Sequence, residues 1–512
     1  MPYVKNSASY KTRSKRSRGR KRAAALAILC LLAVVLALAL RPRSHAAGVA
    51  AFHPEAASAA VVHRTQAAPW TAASREELGR EIRSALAGGT NGAREWSCVV
   101  IAQDGTVLYD DRASHAVTPA SAQKLIVADA SLTARGTGYR FDTLFAASQP
   151  PSGDTLQGDL YVAGSGDPSL RSDDLKAGVA ALRAQGITTI GGRVVIDPSA
   201  LAGEEINPLW NADDANEDFM TATSGISLDG DTAEFHVIGA GAGAPAQVSV
   251  YPKSSALHVY GSVASGGGDD VIIAATETPN EFRLAGNIPP GVEEKYWLPV
   301  HGIPQYAASV MDAMLHGDGI VTDHPATTGA APVDASILWT HRSKPLADLV
   351  KHMLIFSDNH YAEQLMRGLG GMNGGIATDA TGLAEERHIL QTQGIPTPGL
   401  HIVDGSGLAH ANRVSALTLG SILAHFDAAQ GGNSLYPLLP RGGKDGTLRM
   451  YHFTSAAGRV RAKSGHLDDA ASLAGYVNTR RHGRVVFAFL INGSPGDPDD
   501  AIVAAVDRIA AR

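Results

Sequence analysis

The sequence predicts a mixed α/β (α+β) domain interrupted by a large, mostly β insertion. Three observations carry this. A helix, a hairpin and a second helix open the ordered part, and short β-like runs broken by Gly, Pro and Asp fill residues 139–332. Helices, an apolar hairpin and an amphipathic helix then close the chain. At 512 residues the chain is also too long for one ordinary core.

Taken in order, residues 1–22 hold nine Lys or Arg and read as a basic cytoplasmic segment. Ala23–Leu40 follows, eighteen apolar residues with no polar face, about enough to cross a bilayer. We expect an uncleaved anchor in the cytoplasmic membrane; the alternative is a signal cleaved after Ala46 in "SHAA". Either way the bulk of the protein is exported. Residues 41–73 are rich in Ala, Pro and His, lack periodicity, and read as a flexible linker. Eleven of the 44 basic residues but no acidic one lie in residues 1–54, which leaves the remainder at −17. A folded part that acidic argues against nucleic acid as a partner.

Ser74 with Glu77 makes a capping box, and Leu78, Ile82 and Leu86 repeat at helical spacing. "EWSCVVIAQDGTVLYDD" reads as two strands turning at Asp104-Gly105, and "PASAQKLIVADASLTARG" as a helix stopping near Gly136. Cys98 has no exported partner, so we expect no intrachain disulfide there and a small core residue in its strand. Residues 74–138 and 333–512 are expected to form one domain, with 139–332 inserted as a separate module. "KPLADLVKHMLIFSDNHYAEQLMRGL" is helical; "SLAGYVNTRRHGRVVFAFLING" is a hairpin turning at His482-Gly483, and Asp499 to Ala511 is a final helix.

The chemistry is carried by three short motifs. In "TPASAQKL", Ser121 and Lys124 are three apart and share a helix face, so the lysine can take the hydroxyl proton of the serine. The free N–H groups of that helix start favour an oxyanion. Ser357-Asp358-Asn359 lies in the helical region, and Lys463-Ser464-Gly465 directly precedes the apolar hairpin. Each triplet alone is weak. In this order and context they form the set shared by penicillin-binding proteins and active-site-serine β-lactamases. Ser121 is then the nucleophile and Lys124 its base. Ser357 and Asn359 relay protons and hold the substrate amide, and Lys463 gathers the anionic end of the substrate.

From about Glu77 onward the sequence resembles the D-alanyl-D-alanine carboxypeptidases/endopeptidases known as class C low-molecular-mass penicillin-binding proteins. The resemblance includes "PASAQKL", "GDLYVAGSGDPSL", "TSGISLDGD", "SDNHYAEQL", "DGSGLAHANRVS", "GKDGTL" and "AKSGHLDDAASLAGYV". "GSGDPSL" has no evident catalytic rationale. The resemblance implies a penicillin-binding-protein/β-lactamase-like transpeptidase domain with a long insertion between the first two motifs; 236 positions separate Ser121 from Ser357. It implies peptidoglycan stem peptides as substrates, β-lactams as covalent inhibitors, and no cofactor. It also implies an oxyanion hole from the N–H groups of Ser121 and His466, with Ser464, Gly465 and His466 binding substrate. Two departures stand out. Ser464 replaces the commoner Thr, keeping the hydroxyl. His466 replaces a residue that is often Thr, so its ring either grips the substrate carboxylate or points to solvent.

Three rival readings remain. A β-lactamase needs a water-activating Glu; Glu363 and Glu385/Glu386 are the nearby candidates, none in typical surroundings, and the long insertion argues against it. A catalytically weak wall-binding protein is opposed by the full set of side chains. A metal enzyme lacks ligand spacing despite 19 histidines. Asp404 and Ser406 in "DGSGL" suggest a glycine-rich turn rather than a second nucleophile.

Overall fold

The computed structural model describes residues 67–512, apart from 215–216, 221, 373 and 429–433. The expected basic segment 1–22, the membrane segment Ala23–Leu40 and most of the linker lie outside these. Among the described residues no helix is long and apolar enough to cross a membrane.

Helix α1 spans Ala72–Thr90 and starts earlier than the capping box suggests: Thr71 is the N-cap, its hydroxyl accepting from the Ser74 N–H at 3.2 Å. Strands β1 (Glu95–Ala102) and β2 (Val107–Asp111) form the expected hairpin, with the Asp104 carboxylate accepting from the Thr106 N–H. The segment holding Ser121 is not yet α-helical. Ala120–Gln123 is a 3-10 turn, and α2 runs only from Lys124 to Arg135.

The inserted segment contains β3 (Asp142–Ala147), β4 (Leu160–Ala163), α3 (Ser172–Ala184), β5 (Val194–Asp197) and β6 (Thr232–Ile238). It continues through β7 (Gln247–Tyr251), β8 (His258–Gly261), β9 (Ile272–Ala275), β10 (Glu281–Ala285), β11 (Glu293–Pro299) and α4 (Ile303–Gly317). Strand β12 (Ser336–Arg342) pairs antiparallel with β3, so the sheet β5-β4-β3-β12 extends past residue 332. Two three-stranded sheets, β7-β6-β11 and β8-β10-β9, accompany it, together with a four-stranded and a two-stranded sheet made of two-residue strands. One apolar core runs from Phe145 to Ile320.

Helices α5 (Leu346–Phe356), α6 (Asn359–Leu369), α7 (Asp379–Thr392) and α8 (Ala416–Ala428) follow. Strands β13 (Val460–Leu467), β14 (Ala470–Asn478) and β15 (Arg484–Asn492) lead to α9 (Pro498–Ala511). The central sheet is ordered β2-β1-β15-β14-β13. Its strands are apolar almost throughout because both faces are covered. Val99, Ile101, Ala474 and Tyr476 face the core shared with α2, α5, α6 and α8; Cys98, Val100, Leu473 and Val477 face α1 and α9. Cys98 is a buried free thiol, which burial keeps protonated.

Candidate active site

Ser121 sits in the 3-10 turn, where residues three apart eclipse. The turn is entered through Ala120, whose φ of 47° is uncommon for a residue with a Cβ. The Lys124 ammonium nitrogen lies 2.9 Å from Ser121 Oγ, 2.8 Å from Asn359 Oδ1 and 2.6 Å from the Ser406 carbonyl. Two of these partners, an amide oxygen and a carbonyl, can only accept. A neutral amine has two N–H groups; giving both to those acceptors turns its lone pair to the Ser121 hydroxyl. The arrangement can therefore take a proton from Ser121.

The second motif lies at a break, not inside a helix. Ser357 has φ 57° and ends α5; Asp358 caps α6, accepting from the Tyr361 N–H. The break leaves Ser357 Oγ 3.0 Å from Lys463 Nζ. Asn359 donates its amide N–H to the Phe219 carbonyl at 3.1 Å, which fixes its Oδ1 toward Lys124.

The third motif lies on β13, the edge of the central sheet. Lys463 is fully buried; burial, then the nearby Lys124, holds its pKa well below the ordinary lysine value. It also donates to the Ser464 carbonyl. Ser464 Oγ donates to Thr447 Oγ1 at 2.8 Å. Position 465 needs glycine: a Cβ there would lie 2.7 Å from the backbone nitrogens of both Ser121 and Ala122. The edge strand is thus pressed against the turn that carries the nucleophile.

His466 is half exposed. Its Nε2 lies 2.8 Å from Asp499 Oδ2 and 3.2 Å from the Tyr451 hydroxyl, which also donates to Asp499 Oδ1 at 3.1 Å. Burial pushes the Asp499 carboxyl up, but the hydrogen bonds and charge of His466 and Tyr451 outweigh it and the net shift is down. Thr447, Tyr451 and Asp499 were not singled out from the sequence. Only Thr447 carried a signal, as part of "GKDGTL".

The insertion reaches the site through α6. His360, Gln364 and Arg367, on one helix face, bond the segment before β6. His360 Nδ1 lies 3.1 Å from the Ala222 carbonyl, Gln364 donates to Ser224 O at 2.9 Å, and Arg367 donates to Thr223 O and Glu204 O. Asn359 and Glu363 occupy the neighbouring face, toward Ser121. Glu363 does not resemble a water-activating base, because its carboxylate accepts the backbone N–H groups of Gly405 and Ser406. Glu386 is fully buried, and burial followed by the Glu363 charge keeps its pKa well above the carboxylate range. Among the described residues no group of three or more His, Cys, Asp or Glu is placed to hold a metal ion.

Similarities to known proteins agree with this geometry. A D-alanyl-D-alanine carboxypeptidase of Actinomadura sp. (strain R39) is 29% identical over 84% of this chain and 82% of its own length. The D-alanyl-D-alanine carboxypeptidase DacB of Haemophilus influenzae is 27% identical over 76% of this chain and 84% of its own. The crystal structure of penicillin-binding protein 4 from H. influenzae superposes with a TM-score of 0.71 at 24% identity, covering 84% of this chain and 97% of that one. A second structure of that protein holds a β-lactam, with a TM-score of 0.67. Residues 79–512 match the family model described as D-Ala-D-Ala carboxypeptidase 3 (S13), so the chain belongs to that family of serine-type D-Ala-D-Ala carboxypeptidases.

Proposed function

We propose that the chain hydrolyses D-alanyl-D-alanine bonds of peptidoglycan stem peptides through an acyl-enzyme on Ser121. Lys124 takes the Ser121 proton as Oγ bonds to the carbonyl carbon. The C–N bond then breaks, and the departing D-alanine amine receives a proton by way of the Ser357 hydroxyl. Water hydrolyses the ester and restores the serine. The N–H groups of Ser121 and His466 hold the oxyanion. Lys463, Ser464 and the backbone at Gly465 receive the terminal carboxylate, an anion that offsets the burial of Lys463. The observation that carries the reading is Lys124 Nζ held between Ser121 Oγ and two oxygens that can only accept.

β-Lactams mimic the same bond and are expected to acylate Ser121. Incubation with benzylpenicillin should add one covalent mass to the peptide containing Ser121 and none to Ser121→Ala. Labelling of the Ser121→Ala protein overturns the assignment. The domain formed by 74–138 and 333–512, with 139–332 inserted, would act outside the cytoplasm, held at the membrane by Ala23–Leu40. N-terminal sequencing of the native protein tests the anchor; a start at Ala47 shows a cleaved signal instead.

A further inference from the structure

The turn Asp404–Gly407 lies behind Lys124 and is held by two buried carboxylates. Asp404 Oδ1 accepts from the Gly407 N–H at 2.8 Å, Asn412 Nδ2 at 2.8 Å and Gln123 Nε2 at 3.1 Å. Its Oδ2 accepts from the Ala409 N–H at 2.7 Å and from the indole N–H of Trp210, in the insertion, at 3.0 Å. All five partners are donors, so a proton on either oxygen would face a donor. Glu363 takes the N–H of Gly405 and, at 2.7 Å, of Ser406.

The Gly407 N–H and the Ser406 carbonyl belong to one peptide unit. Its N–H points at the Asp404 carboxylate and its oxygen at Lys124, 2.6 Å away. An anion on the donor side polarises the unit and strengthens the carbonyl as an acceptor. We propose that Asp404 is a positioning residue for the general base: through the Ser406–Gly407 peptide it aims Lys124 at Ser121 and favours the ammonium that forms when Ser121 is deprotonated. Glu363 supports the same turn from the other end, and Trp210 ties the insertion to it. The proposal rests on Lys124 being the base.

The charged groups around Lys124 separate two opposing influences. Lys463, on β13, opposes a second buried cation. Asp404, Glu363 and, beyond them on α7, Glu386 lie behind the turn. Burial, then the Asp404 charge, pushes Glu363 up, and Glu386 is raised as well, so both tend to hold protons. Asp404, whose two side-chain oxygens meet only donors, is the carboxylate aligned with the peptide.

The test is the rate of acylation by a fluorescent penicillin from pH 5 to 9, with burst amplitude counting competent sites, on the full chain carrying Asp404→Asn or Glu363→Gln. Asp404→Asn should slow acylation per competent site by ~100-fold and move its acid limb to lower pH, because the ammonium loses the support of a charged hydrogen-bond chain. Glu363→Gln exchanges a mostly protonated carboxyl for a neutral amide, so it should slow acylation by less than ~10-fold and leave the limb in place. A structural role alone lowers the burst amplitude and leaves the per-site profile unchanged, and that result overturns the proposal. If Asp404→Asn does not fold, Asp404→Glu, which keeps the charge but not the donor geometry, should slow per-site acylation without moving the limb as far; an unchanged per-site profile overturns the proposal. Absence of labelling on wild-type Ser121 would instead overturn the function on which this rests.

Discussion

Lys124 and Lys463 are both fully buried and each reaches a serine hydroxyl, but their surroundings differ. Lys124 lies among fixed acceptors, Asn359 Oδ1 and the Ser406 carbonyl, with carboxylates behind the turn. Lys463 has a rotatable hydroxyl and the carbonyl of its own neighbour, and it meets Lys124 as a like charge. The contrast teaches that the same side chain is made a base or an anion receptor by what surrounds it. Fixed acceptors orient a lone pair. A poorly compensated cation waits for a negative substrate.

The largest expected effect breaks that contrast at the chemistry. Lys124→Met should slow acylation of Ser121 by roughly 1,000-fold or more, the range for loss of a general base. Lys463→Met should lower kcat/KM for a peptide ending in D-alanyl-D-alanine by only about 10- to 100-fold, mainly through KM. Stopped-flow acylation and steady-state hydrolysis measure the two, and equal losses would erase the distinction.

Stability should move in opposite directions. Burial holds Lys463 well below the lysine value of 10.5. A base depressed on folding contributes stability that is present above its unfolded pKa and lost as pH falls through the folded one. Lys463→Met should therefore be more stable than wild type at pH 7, by ~1–3 kcal/mol, with the gap closing toward pH 10. Lys124→Met strands the buried Ser406 carbonyl, at ~1–3 kcal/mol, and a half-buried Asn359 Oδ1, and should be less stable at pH 7. Urea denaturation at pH 7 and pH 9.5 reads both signs.

The smallest effect concerns His466. Asp499 is held below the usual carboxylate range, so its charge faces the His466 ring across the working pH. If the ring helps to receive the substrate carboxylate, His466→Thr should change kcat/KM less than about 10-fold and remove an acid-side component of its pH profile. Superimposable profiles would leave only the backbone N–H of residue 466 with a role.

How far the sequence revealed this site follows from the range of each interaction. Ser121 and Lys124 are local, and their spacing works in the observed 3-10 turn as in the expected α-helix. The break at Ser357 lies inside an apolar run that reads as continuous helix, and the Asp358 cap shows only in the structure. Contacts across long separations left no periodicity to read. Trp210 meets Asp404 194 positions away, and Asp499 meets His466 from the terminal helix. "GSGDPSL" now has a physical reason. Gly166 donates its N–H to the Gly225 carbonyl, and a Cβ on Gly164 would lie 2.3 Å from that oxygen, so the motif cradles the segment that docks on α6.

The pairing of β1 with β15 has a consequence in time. The register joins Glu95 to Asn492 and Ala102 to Val485, so the strand next to the nucleophile's segment waits for nearly the last one made. During synthesis Ser121 precedes Arg484 by about 360 residues, or roughly 20–70 s at the usual pace of elongation. Throughout that interval the chain holds its serine and lysine but not the closed sheet, and the edge strand beside them comes only near its end. A chain that stops before β15 therefore lacks the central strand that joins β1 to the hairpin bearing Lys463.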